Sequence, residues 1–288
     1  ARDTGHHSFR ISLFSPRRHS TMIGHNHLGK NGRFGNQMFQ YASTRGIAAN
    51  RGFDFCIPPG PKNDDEFNDE ENQHKLFMAF KLPSVKEVNM FPAPYVQEAG
   101  FTFDEELFNN CEDNRNLYGY LQSEKYFAHI EDEIRKDFEW RDDVYGSCKE
   151  VFDQIIPDGK AISLHVRRTD QVVKSKYHPV QPNSYYEKAL AKFPDLPVIV
   201  FSDEPEWCAE EEFFADDRFL IAEGNDNIHD MCLMTMCSHH IMVNSSYSWW
   251  GAWLSGSENI IAPTNWFGPE AGLDDKDLVP ERWERIDA

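Results

Sequence analysis

The stretch Ala161-Ile162-Ser163-Leu164-His165-Val166-Arg167-Arg168-Thr169-Asp170 decides how this chain is read. Residues 161–166 predict a strand buried on both faces, and two arginines and an aspartate follow it at once. Downstream the pattern repeats. A helix is expected over 184–193, with a capping box formed by Ser184 and Glu187. A strand follows at 198–201, a helix at 205–213, a short strand at 219–222 and a helix at 227–237. A strand at 241–243 and a helix at 246–254 complete the series. Continuous apolar strands separated by helices define a parallel sheet covered on both faces, an α/β architecture. In such sheets ligands sit beyond the carboxyl ends of the strands, so the residues just after each strand are the candidates for function.

Those residues are Arg167, Arg168 and Asp170 after the first strand, Asp203 after the second, and Asn244, Ser245 and Ser246 after the last. Adjacent arginines on an extended chain point to opposite faces. One can therefore grip phosphate oxygens through its planar fork while the other packs or pairs, with Asp170 as the expected partner. Asn244-Ser245-Ser246 opens a helix directly off a strand, where free N–H groups and hydroxyls suit an anion. Trp249, Trp250 and Trp253 on that helix read as core rather than as sugar platforms.

Nearer the start, a polar strand is expected over 21–28. It leads into Gly29-Lys30-Asn31-Gly32-Arg33-Phe34-Gly35-Asn36-Gln37. A helix is expected over 36–50, stopping at Gly52, with Phe39, Ala42, Gly46 and Ala49 on one closely packed face. The glycines let backbone approach a ligand, and Gly32, Arg33, Phe34, Gly35 and Asn36 form a second jaw for a diphosphate. Residues 62–72 read as a solvated charged loop. A second helix is expected from Ser123, with Phe127, Ile130, Ile134 and Phe138 on one stripe, and 140–159 is read as the connection between halves.

The composition narrows the function. The chain has 288 residues and a formal net charge of -19, which disfavours nucleic acid and anionic membranes as partners. An anionic substrate must then be met by a local cluster of cations. No apolar run approaches the length of a membrane span, and no signal peptide is evident, so a soluble cytoplasmic enzyme is expected, or else a Golgi luminal domain trimmed of its anchor. The six cysteines show no CxxC spacing and read as reduced core residues. His25 with His27, and His239 with His240, lack partners at zinc-like spacing. Asp275-Lys276-Asp277 reads as solvated surface. No metal and no other cofactor is expected; charge on a leaving nucleoside diphosphate would be met by arginines and helix dipoles. Residues 1–21, with Arg2, Arg10, Arg17 and Arg18, read as an arm disordered or foreign to the fold.

Five blocks resemble the α-1,2-fucosyltransferases, and more broadly the superfamily that includes the α-1,6- and protein O-fucosyltransferases. They are residues 32–42, residues 119–127, His165-Val166-Arg167-Arg168-Thr169-Asp170, Phe201-Ser202-Asp203 with Trp207-Cys208, and residues 244–254. The resemblance implies a GT-B-like pair of Rossmann-like domains, here 22–155 on the acceptor side and 156–288 on the donor side, with the site between them. It implies metal-free, inverting transfer of fucose from GDP-fucose to the 2-hydroxyl of a β-galactoside in an oligosaccharide. By the same resemblance Arg167 holds the β-phosphate, His165 and Asp203 contact guanine, and Ser245 and Ser246 contact phosphate. Residues 33–36 close over the nucleotide. Asp170 is the candidate base on motif position alone; its alternative is to orient Arg168. Met22-Ile23-Gly24-His25-Asn26-His27 is more polar than the family's usual first strand, and Leu121 and Tyr247 stand where phenylalanine is common. Another linkage, a protein acceptor, or a silent nucleotide-sugar-binding protein remain alternatives.

Overall fold

A computed structural model describes residues 20–71 and 73–288; the arm expected over 1–21 falls almost wholly outside them. The first half is built from β1 (Met22–Gly24), α1 (Phe34–Arg51), β2 (Asp54–Ile57), α2 (Leu76–Ala79), β3 (Lys86–Glu87), β4 (Tyr95–Gln97), α3 (Glu105–Asn110) and β5 (Arg115–Tyr118). Its strands form one parallel sheet in the order β3-β2-β1-β5-β4. Two helices follow, α4 (Glu131–Asp137) and α5 (Asp142–Ile155). The second half comprises β6 (Ile162–Val166), α6 (Thr169–Val173), α7 (Asn183–Leu190), β7 (Val198–Ser202), α8 (Pro205–Glu210) and β8 (Phe219–Ile221). It ends with α9 (Asn227–Met236), β9 (His239–Ile241), α10 (Ser246–Ser255), β10 (Ile260–Pro263) and β11 (Glu284–Ile286). Its parallel order is β11-β10-β9-β6-β7-β8. Counted from β6 as first, this is the doubly wound order 3-2-1-4-5-6, whose strand order reverses between β6 and β9. The ligand crevice of such a sheet opens at that reversal, which is where Arg167 and Ser245 leave their strands.

Helix α1 runs two residues further at its start than expected and stops on Gly52, whose φ of 72° lets its N–H reach Ala48 O and Ala49 O. Gly46 explains the close packing of this helix: a Cβ there would lie 1.9 Å from Tyr126 O. Ala49 is exposed, and Ala48 takes its expected place in the core. The same contact accompanies the break-up of the helix expected from Ser123. Two short 3-10 turns at Glu124–Tyr126 and Ala128–Ile130 replace its start, and α-helix proper begins at Glu131.

Other expectations are corrected. Helix α7 begins at Asn183 after Pro182 with no side-chain cap, so Ser184 lies inside the first turn and forms no capping box. Residues 140–159 do connect the halves, through helix α5, but β9 ends where the fourth strand was expected to begin. Asp275 and Asp277 are bound rather than solvated: Asp275 pairs with Arg285 at 2.5 Å. Asp277 accepts Phe103 N at 2.9 Å and Lys125 Nζ at 2.5 Å, fastening the last segment to the first half.

One core crosses the junction of the halves. Phe39 of α1 meets Trp249 at 4.6 Å, Phe127 stacks on Trp250 at 5.5 Å, and Phe138 meets Trp250 edge-on at 5.3 Å between ring centroids. The three tryptophans of α10 are core, as the sequence suggested. All six cysteines are buried and unpaired. Among the described residues no helix is long and apolar enough to cross a membrane.

Candidate active site

Helices α1 and α10 start at one point. A Cβ on Gly35 would stand 2.5 Å from Tyr247 N and 2.7 Å from Ser246 Oγ, so only glycine lets the two N-termini approach so closely. Each helix start carries roughly half a positive charge and several unpaired N–H groups. A cavity of about 380 Å³ lies in front of them, lined from one half by residues 33–36 and from the other by His165, Arg167, Asp203, Ser245 and Ser246. The hydroxyls of Ser245 and Ser246 make no hydrogen bond among the described residues, and Ser245 does not cap its own helix through its side chain.

The arginine pair divides as alternation requires, but with other partners than expected. Arg167 lines the cavity and binds Asp170 through Nε at 3.0 Å and Nη2 at 2.5 Å. Arg168 turns away: its Nε binds Glu204 at 3.2 Å and its guanidinium lies 3.8 Å over the Trp207 ring. Asp170 is therefore the partner of Arg167, not of Arg168, and Arg33 from the other half adds a contact at 3.3 Å. Burial pushes the Asp170 carboxyl up, but the hydrogen bonds and charge of Arg167, with Arg33, outweigh it and hold the group below its ordinary value.

The remaining predicted residues split. Asp203 is on the cavity wall, yet its oxygens accept Arg168 N at 3.0 Å, Thr169 N at 3.1 Å and the Thr169 hydroxyl at 2.7 Å. It fixes the turn that presents Arg167. Asn244 is buried away from the cavity, accepting Gln181 Nε2 at 3.0 Å and donating to Pro179 O and Trp266 O. Its reading as a substrate contact is corrected: all of its amide is spent on holding loops. Gly32, with φ 88°, shapes the turn against Asn36 and does not line the cavity.

His165 is buried and neutral, since desolvation first and the Arg167 charge second lower its pKa to about 3. Its Nδ1 is enclosed without a partner, an unusual state for a buried polar atom and one that a ligand donor or acceptor would relieve. The far wall holds residues the sequence did not single out, chiefly Glu223, Asn225 and Asp230. Asp230 accepts Asn225 Nδ2 at 3.0 Å, and burial pushes its carboxyl up to about 6. It sits in the first turn of α9 inside an unremarkable apolar helix, and only the cavity reveals it. Among the described residues no three His, Cys, Asp or Glu side chains are placed to hold a metal.

Two open parallel sheets with a phosphate-type cradle between them define the class: a GT-B glycosyltransferase. The profile of Glycosyl transferase family 11 matches residues 4–286, and the chain belongs to that family. It is 31% identical over 283 residues to an α-1,2-colitosyltransferase of Escherichia coli, covering 89% of this chain and 97% of that one. It is 26% identical over 248 residues to galactoside α-(1,2)-fucosyltransferase 1 of Rattus norvegicus, covering 80% and 63%. The crystal structure of the NodZ α-1,6-fucosyltransferase of Bradyrhizobium soaked with GDP-fucose shares the fold, with a TM-score of 0.52, 15% identity, and 82% and 92% coverage.

Proposed function

We propose that the protein transfers L-fucose from GDP-fucose to the 2-hydroxyl of a β-galactoside, with inversion at the anomeric carbon and without a metal. The observation that carries this reading is the convergence of Arg33, Arg167 and two helix N-termini on one cavity. In it a leaving diphosphate meets positive charge that is already fixed in place. Relatives that carry the α-1,2 linkage in their names, and a fold neighbour soaked with GDP-fucose, support it.

In this reading Arg167 holds the β-phosphate, with Ser245 and Ser246 on the phosphates beside it. His165 and Asp230 face the guanosine end. The acceptor oxygen attacks the fucosyl carbon as its bond to the β-phosphate breaks, GDP departs with the electron pair, and the proton of the attacking hydroxyl passes to solvent water. Asp170, kept ionised by two guanidinium groups, is a weak proton acceptor; we assign it to positioning Arg167 and Arg33 across the cleft. A colitosyl donor on the same nucleotide is the second reading, favoured by the Escherichia coli relative.

A thermal-shift series tests the donor. Stabilisation by GDP and not UDP, unchanged by EDTA, is expected; dependence on manganese would overturn the mechanism. Transfer assays with fucosyl and colitosyl donors on a minimal β-galactoside, followed by linkage analysis of the product, separate the two readings.

A further inference from the structure

The first-half sheet has its own reversal of strand order, between β1 and β5. The loops leaving those two strands lie side by side at the carboxyl edge, where His25 Nε2 meets Gly119 O at 3.2 Å. The cavity described above uses only the helix start behind β1. It leaves unused an aromatic group made by His27 after β1, Tyr95 at the start of β4, and Tyr118 and Tyr120 at and just past the end of β5. His27 stands 5.1 Å from Tyr95 and 4.8 Å from Tyr118 between ring centroids, edge-on to both. Tyr95 is 52% exposed and Tyr120 42%, whereas most large apolar side chains of this molecule are buried.

The backbone at this edge carries a strained residue. Leu121 is fully buried yet holds φ at 52°, a conformation that costs a non-glycine residue on the order of 1 kcal/mol or more. Glu98, just past β4, pins the turn: its Oε1 accepts Tyr120 N at 2.8 Å and Leu121 N at 3.3 Å. Its Oε2 accepts no hydrogen bond among the described residues. The turn is also continuous with the donor cavity, because Gln122 Nε2 donates to Asn36 Oδ1 at 2.5 Å and Asn36 lines that cavity.

We infer that His27, Tyr95, Tyr118 and Tyr120, with the free oxygen of Glu98, form a subsite for the sugars of a neutral oligosaccharide beyond the accepting residue. Aromatic faces with a polar tip suit the C–H face of a pyranose, and a carboxylate oxygen suits its hydroxyls. Clustered aromatic surface left exposed to solvent marks such a binding region. None of these five side chains carries a fixed positive charge to hold an anionic glycan, and burial raises the Glu98 carboxyl to about 7, so the occupant is neutral. The inference rests on the glycan-directed reading above for the identity of the ligand class.

The test keeps the two claims apart. Transfer of fucose to a minimal β-galactoside by the wild-type protein examines the function. Binding of neutral galactose-terminated tri- to pentasaccharides, followed by saturation-transfer NMR with GDP present, examines the subsite. The pair Tyr95→Ala and Tyr120→Ala should weaken oligosaccharide binding at least tenfold, with GDP affinity and melting temperature as controls for folding. Tyr95→Phe with Tyr120→Phe should restore most of it. Binding equal to wild type in the alanine pair, or no binding of any neutral oligosaccharide by the wild type, overturns the inference. Failure of transfer alone overturns the function and leaves the binding result to judge the subsite.

Discussion

Replacing Asp170 by asparagine separates two roles that share one position. As a general base, a carboxylate typically contributes 10²–10⁴-fold in rate, and asparagine cannot take a proton. As a positioning group it loses only the charge-assisted part of its grip on Arg167 and Arg33. Such hydrogen bonds contribute about 1.5–3 kcal/mol each when well desolvated. Here the Asp170 side chain retains 35% exposure and that of Arg33 74%, so solvent weakens both contacts. A loss of ~1.5 kcal/mol is expected, or about tenfold in kcat. Steady-state transfer with saturating GDP-fucose, run from pH 5 to 9, reads this directly. The expected outcome is a tenfold lower kcat with the shape of the pH profile unchanged. A thousandfold loss of kcat across that range would refute the positioning role and restore Asp170 as the base.

Arg167→Ala should lower kcat/KM by roughly 10²–10³-fold, the usual effect of removing one fixed stabiliser of a developing anion; an effect below tenfold would remove it from the phosphate. Asp230→Asn should weaken GDP binding by roughly tenfold or more through the lost charged acceptor, measured by calorimetry. The pH dependence has a definite sign. The folded Asp230 carboxyl is raised from 3.8 to about 6, so its contribution to stability is full below 3.8 and is lost as pH rises through 6. A ligand that needs the carboxylate must bind more weakly as pH falls below 6, and this slope should vanish in Asp230→Asn. His165, already neutral throughout that window, adds nothing to it. Gly35→Ala should lower the melting temperature, since overpacking of a fixed contact costs about 1–3 kcal/mol, and GDP should no longer restore it.

Much of the second half was legible because its strands are apolar throughout and its helices lie between them. Beyond β1, the short strands of the first half were not. Segments such as Lys86–Glu87 and Tyr95–Gln97 hold two or three residues with exposed side chains, and pairing with a neighbour, not local pattern, makes them strands. The apolar run around Ile241 gives a strand but not its register: neighbours β6 and β10 select His239–Ile241. In the site, the motif positions His165, Arg167, Ser245 and Ser246 lie on the cavity wall. Asn244 and Arg168 belong to the same motifs but serve the scaffold, a distinction that only hydrogen-bond partners reveal. Asp230 is the converse case, a cavity residue with no motif to announce it.

The aromatic seam between Phe39, Phe127 and Phe138 on one side and Trp249 and Trp250 on the other bears on how this enzyme can be re-engineered. Exchange of whole second halves between family members is an attractive route to new nucleotide-sugar preferences. Here such a chimera would have to carry both faces of the seam, because each half alone would expose tryptophan or phenylalanine to water. Grafts confined to residues 98–100 and 119–120 stop short of Phe127 and leave that seam untouched, and the subsite inferred above makes them a route to changing the acceptor while the fold stays whole.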